Sequence, residues 1–204
     1  MVREMTEGMA AWLRRVVAAP AYLAAALLWP APTAAQMDQA RAAFDKEDYA
    51  GAYALYKPAA DQGRAEAQYH VALMHKFGWG AQRDHALAAR LFRAAADQAH
   101  AEAQSELALY YKDGRGVAKD MAQAAVWFQK ASEQGVGIAQ LNLGRFYLAG
   151  TGVDKDLVAA YYWLTVAARN GYIDGMALRV PAAKALTPEQ IAETEARAKQ
   201  ARHR

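Results

Sequence analysis

The chain has 204 residues, carries 24 Lys and Arg against 21 Asp and Glu for a net charge of +3, and contains no cysteine. That length suits one domain with a sizeable core. The small positive excess is not gathered into a basic run, which argues against nucleic acid as the partner. The missing cysteine excludes disulfides, thiolate metal sites and cysteine nucleophiles.

At the N-terminus Arg3, Arg14 and Arg15 precede an apolar stretch from Val16 to Pro32, and the small residues Thr33, Ala34 and Ala35 follow. Positive, apolar, then small is the order of a signal peptide. Residues 1–35 are expected to be removed after Ala35, so that the mature chain, residues 36–204, begins at Gln36 in the periplasm or outside the cell. Two other readings stay open. One is an uncleaved inner-membrane anchor, although Pro20 and Pro30 interrupt the run and it is shorter than the roughly 20 residues a spanning helix needs. The other is an ordinary N-terminal helix of a chain starting at Met9.

Beyond it, internal periodicity dominates. Residues 65–100 (AEAQYHVALMHKFGWGAQRDHALAARLFRAAADQAH), 101–136 (AEAQSELALYYKDGRGVAKDMAQAAVWFQKASEQGV) and 137–172 (GIAQLNLGRFYLAGTGVDKDLVAAYYWLTVAARNGY) align without a gap, a period of 36. Each copy reads as two helices: Ala67, Val71 and Met74 recur at helical spacing in the first, and Ala88, Leu91, Phe92 and Ala95 in the second. Between them stand the turn glycines Gly78 and Gly80, Gly114 and Gly116, Gly150 and Gly152. The aspartates Asp84, Asp120 and Asp156 sit where a side chain caps the second helix. Asp120 and Gln123 carry the spacing of a capping box. Ala72, Ala108 and Gly144 are small enough for close helix pairing, and Phe92, Phe128, Trp127 and Trp163 fill the space between repeats. Ala99 stands where Gly63, Gly135 and Gly171 stand, so that turn is expected to be either strained, by about 1 kcal/mol, or rearranged.

The period extends outward. Asp48, Ala52, Tyr56 and Ala59 lie 36 residues before Asp84, Ala88, Phe92 and Ala95, which makes 37–64 a partial repeat with helices at 37–45 and 48–62. Its connection, Asp45-Lys46-Glu47, lacks glycine and must turn differently. After Tyr172 a C-terminal cap, 173–204, is expected: a helix from about Asp174, disturbed by Pro181, then a helix over 188–203 opened by Thr187-Pro188-Glu189-Gln190. The last helix is polar enough to close a solenoid. The reading is all-α, a solenoid of helix-turn-helix repeats.

With these residues in view, residues 38–200 resemble the Sel-one-like repeat family, through the pattern A-x-A-Q-x-x-L-G/A-x-x-Y-x-x-G-x-G-V-x-x-D followed by A-x-x-W-F/L and A. The ending LTPEQIAETEARA is similar to a segment that closes bacterial members. The resemblance implies a right-handed α-solenoid related to tetratricopeptide repeats. It also implies an adaptor role in signalling, secretion, envelope or host interaction. Some secreted members are linked to penicillin binding or β-lactam hydrolysis, but those are cysteine-rich.

The inventory for chemistry is poor. The serines are Ser105 and Ser132, and neither lies in Ser-x-x-Lys or Gly-x-Ser-x-Gly. There is no His-Glu-x-x-His, Walker loop or dinucleotide fingerprint. His70, His75, His85, His100 and His203 lack metal-ligand spacing, and His75 occupies the slot of Tyr111 and Tyr147. No catalysis, metal or cofactor is expected. Trp79 does not repeat; it is either an exposed contact or folded against the neighbouring turn.

In tetratricopeptide-like solenoids the first helices line a concave groove whose residues vary between repeats. The varying registers here are Glu66/Glu102/Ile138, Tyr69/Ser105/Leu141, His70/Glu106/Asn142, Leu73/Leu109/Arg145 and Lys76/Lys112/Leu148. Candidate partner contacts are Glu66, His70, Leu73, Glu106, Leu109, Asn142 and Arg145, unless these are merely solvated helix faces. The expected function is an exported, non-catalytic scaffold that binds a protein or peptide. The alternatives are a cell-envelope protein or enzyme acting on peptidoglycan or β-lactam-related ligands, and a purely structural domain of an envelope assembly.

Overall fold

A computed structural model describes residues 33–201, and all its regular structure is helical: α1 (Ala34–Asp45), α2 (Tyr49–Asp61), α3 (Ala65–Phe77), α4 (His85–Asp97), α5 (Ala101–Asp113), α6 (Met121–Glu133), α7 (Gly137–Ala149), α8 (Leu157–Arg169), α9 (Asp174–Leu178), α10 (Val180–Ala183) and α11 (Pro188–Lys199). From α1 to α8 each helix packs against its neighbours in sequence, the pattern of a solenoid. Most of the expected signal peptide, 1–32, lies outside the described residues. Its last three residues open α1, three positions ahead of the expected start. The cause is a capping box: the Gln36 amide donates to Thr33 Oγ1 at 3.2 Å and the Thr33 amide donates to Gln36 Oε1 at 2.8 Å.

The second helices supply the core through one motif. Ala52, Tyr56 and Ala59, then Ala88, Phe92 and Ala95, then Ala124, Phe128 and Ala131, then Ala160, Leu164 and Ala167 are all fully buried. The spacing i, i+4, i+7 puts each trio on one face: two alanines bring the helices together and the large residue fills the gap.

The turns between paired helices use their two glycines differently. Gly78, Gly114 and Gly150 are left-handed C-caps. Gly80, Gly116 and Gly152 also have positive φ, and a β-carbon there would lie 2.2 Å from the carbonyl oxygens of Tyr49, His85 and Met121 respectively. Those are the first residues of α2, α4 and α6, so each turn rests on the backbone of the preceding repeat. Ala99 adopts φ +63 in place of glycine, as its alignment implies. Ala99→Gly is expected to raise stability by up to about 1 kcal/mol, the relief of the left-handed strain less the added freedom of the unfolded chain; a lower urea midpoint would contradict it. The turn without glycine places Glu47 at φ +62, while the Asp48 amide donates to Ala43 O at 2.9 Å, completing a Schellman-type end to α1.

Asp48, Asp84, Asp120 and Asp156 each accept a backbone N–H of the first turn that follows. The capping box expected at Asp120 and Gln123 is only half formed. The Gln123 amide donates to Asp120 Oδ1 at 2.9 Å, but the Asp120 amide is engaged by Tyr111 O at 2.9 Å, so it does not take up the Gln123 side chain.

The aligned glutamines form a buried clasp. Gln104 Nε2 donates to Ala96 O of the preceding repeat at 3.1 Å, and Gln104 Oε1 accepts from Gln134 Nε2, at the end of its own repeat's second helix, at 2.8 Å. Gln68 with Gln98, and Gln140 with Asn170, repeat the arrangement. Gln104→Ala is expected to cost about 2 kcal/mol, because it strands buried partners as well as removing two bonds. An unchanged unfolding midpoint would show that the clasp contributes nothing.

After Tyr172 a fifth first helix begins but breaks into α9 and α10 at Pro181. α11 opens with the foreseen Thr187–Gln190 capping box and ends at Lys199, short of 203. It docks on α8: the Tyr161 hydroxyl donates to Glu195 Oε1 at 2.8 Å, Arg179 lies over the Tyr161 ring at 5.3 Å, and Thr194 and Ala198 are buried.

Candidate partner-binding groove

The candidate residues lie on α3, α5 and α7, the first helices of the full repeats, and the structure divides them. Glu106 and Leu109 line a cleft of about 190 Å³ together with Tyr69, Glu102, Ser105, Val136 and Ile138. Four of those neighbours, Tyr69, Glu102, Ser105 and Ile138, occupy varying registers without being among the candidates. The signal for them was a drop in size, Ser105 standing between Tyr69 and Leu141 in adjacent repeats.

His70 and Asn142 turn inward instead. The His70 ring stacks on Tyr56 at 4.5 Å and meets the edges of Phe44 and Tyr69. Asn142 is 6% exposed, and its amide donates to Ile138 O within its own helix at 2.8 Å. Both make packing contacts: His70 is half-buried and Asn142 is buried, because the first helices present much of their circumference to neighbouring helices. Leu73 is half-buried against the core. Glu66 is paired with the Arg41 guanidinium, and Glu106 with Lys76 at 2.7 Å, a pair largely shielded from water. Arg145 is exposed and lies 3.7 Å from Asp174.

Burial pushes the His70 imidazole down to about 4 from its ordinary 6.5, against the nearby Glu66 carboxylate. Its proton is held more weakly in the folded chain than in the unfolded one, so the contribution is constant above pH 6.5 and stability falls as pH drops from there to about 4. His70→Phe keeps an aromatic ring and removes the titration. Urea midpoints across that window are expected to fall less steeply for the variant; parallel curves would refute the assignment.

Three further ring side chains pack within the fold. Trp79 lies between Tyr49 and Phe77, stacked at 4.8 and 4.4 Å, so it is folded against the neighbouring turns. Trp127 is buried, with Lys130 over its ring at 4.0 Å. His75 engages Gln82 O at 2.9 Å, holding the turn to α4. A second furrow, about 390 Å³ and mainly apolar, lies between α6 and the turn at Gly152 and Val153, beside the exposed Val126.

For chemistry the arrangement offers little. Ser105 and Ser132 are buried and their hydroxyls have no hydrogen-bond partner, so no base is placed to activate either. Among the described residues no three His, Asp or Glu side chains are grouped to hold a metal ion, and no helix is long and apolar enough to cross a membrane.

Fold and site together define a tandem helical-repeat scaffold. The Sel1 repeat model matches residues 44–63, 65–100, 101–136 and 137–172, and the chain belongs to the Sel1 repeat family, whose members are in general scaffolds for protein interaction. The chain is similar to a protective antigen of uropathogenic Escherichia coli strains with an SLR fold, at 36% identity and a TM-score of 0.65; the match covers 74% of this chain but only 32% of that one. A Sel1 repeat protein from Oxalobacter formigenes shares the fold at 23% identity and a TM-score of 0.68, covering 79% of this chain and 69% of that one. No curated protein matches the sequence.

Proposed function

We propose that the protein is an exported, non-catalytic adaptor that holds a peptide or protein segment along the face formed by α3, α5 and α7. The observation that carries this reading is the cleft at Ser105: three first helices contribute to it, and its lining is drawn mostly from the registers that vary between otherwise regular repeats. A surface that departs from the repeat where the framework does not is the expected mark of a binding face. Export rests on the charge and hydropathy order of residues 1–35.

The test is photo-crosslinking in the native cell with a tagged chain, comparing the natural protein with a Leu109→Ser/Ile138→Ser variant of unchanged helicity. A protein captured by the first and lost by the second is the expected result. Identical capture by both rules out this face. N-terminal sequencing of the recovered chain is expected to read from Gln36; an intact Met1 or Met9 terminus removes the cleaved signal peptide.

A further inference from the structure

The cleft exists because of one residue. Where α3 carries Tyr69 and α7 carries Leu141, α5 carries Ser105, and the missing volume opens between the helices. Ser105 is 3% exposed, lines the cleft, and is one of the few buried side chains, Ser132 among them, whose polar atom has no hydrogen-bond partner. The space, about 190 Å³, is below the roughly 300 Å³ at which small-ligand sites begin, and so fits one side chain.

The lining has two parts. Tyr69, Leu109, Val136 and Ile138 form apolar walls, and the charged lining residues are Glu102 and Glu106, one helical turn apart on one face. Among the cationic and titratable groups near them are Lys76, whose Nζ is 2.7 Å from Glu106 Oε2, and His100, whose Nδ1 is 3.4 Å from Glu102 Oε2 and accepts the Ala103 amide. Burial, and then the fields of Glu106 and Glu102, push the Tyr69 hydroxyl up to about 12, and both carboxylates face the cleft that Tyr69 lines. The same chemistry occurs at the matching register one repeat earlier, where Glu66 takes the guanidinium of Arg41.

Resting on the groove reading above, we propose that this cleft takes a single arginine or lysine side chain of the bound segment. Its aliphatic stem lies along Tyr69, Leu109, Val136 and Ile138, and its cationic head donates to Ser105 Oγ and to the carboxylates of Glu102 and Glu106. A long basic side chain suits such a site because its stem is apolar while its head is charged.

The probes are fluorescein-labelled heptapeptides of sequence Ala-Ala-Leu-X-Leu-Ala-Ala, with X arginine, lysine, citrulline or glutamate, titrated with the full chain by anisotropy. Arginine and lysine peptides are expected to bind at least about tenfold more tightly than the citrulline peptide, which keeps the shape but loses the charge. Ser105→Leu, which installs the side chain found one repeat later, and separately Glu102→Gln/Glu106→Gln, are expected to bring the arginine peptide down to the citrulline level with helicity unchanged. Equal binding of arginine and citrulline peptides overturns the proposal and leaves the groove reading standing. So does a preference for arginine that survives both variants. Binding by none of the peptides overturns it as well; the crosslinking experiment then decides the groove reading on its own.

Discussion

Gly116→Ala is expected to destabilise the protein by about 3–4 kcal/mol, while Gly63→Ala costs only about 1 kcal/mol. Both residues have positive φ, +66 and +85, so both substitutions carry the left-handed penalty of an L side chain. Only one of them meets an obstacle. Around Gly63 nothing lies within 4 Å, whereas a β-carbon on Gly116 would stand 2.2 Å from His85 O, 2.4 Å from His85 C and 2.8 Å from Ala86 N. Those atoms open α4 and cannot rotate away as a side chain could. The turn between α5 and α6 must therefore lift off the preceding repeat, which disturbs the contact between repeats as well as one residue. Urea unfolding of both variants checks this. Similar costs for the two would mean that the close approach contributes nothing and that backbone conformation alone fixes glycine in the Gly-x-Gly turns.

The repeat made the fold readable in the sequence for a physical reason. Three in-phase copies expose which positions must stay small, large, glycine or acidic, and the buried trio Ala124, Phe128 and Ala131 is the same device as Ala88, Phe92 and Ala95. The strained turn at Ala99 followed from the same comparison. What periodicity could not convey was direction around a helix. His70 and Glu106 share a register, yet His70 packs on Tyr56 while Glu106 reaches Lys76 and the cleft, because two of the aromatic neighbours of His70, Tyr56 and Phe44, come from the atypical first repeat. The inward turn of Asn142 was hidden for a related reason, since a short amide can satisfy itself on its own helix at Ile138. The role of the aligned Gln104 was hidden because its partner Gln134 is 30 residues away, at the far end of the second helix. The start of α1 at Ala34, ahead of the expected 37, was not legible because Thr33 and Gln36, which form its capping box, straddle the expected cleavage point.

Phe128→Ala is the other large effect, expected at about 4 kcal/mol from lost burial and the cavity left behind. Phe128 is fully buried on α6, among Ala124 and Ala131, and meets the Phe146 ring of α7 edge-on at 5.4 Å. It therefore joins one repeat to the next as well as filling its own. In a solenoid, stability is close to a sum of repeat terms and nearest-neighbour interfaces, so an interface in the middle of the array does more than lower the total. Weakening it lets the part from α1 to α5 and the part from α7 to α11 unfold separately. The expected result is a lower urea midpoint together with a broader transition, the loss of slope marking two smaller cooperative units in place of one. Leu164→Ala, at the same register in the last full repeat, is expected to lower the midpoint with less broadening, because only the C-terminal cap lies beyond it. If Phe128→Ala shifts the midpoint and keeps the slope of the natural protein, the interfaces are strong enough for the repeats to unfold as one unit, and the nearest-neighbour account of this chain is wrong.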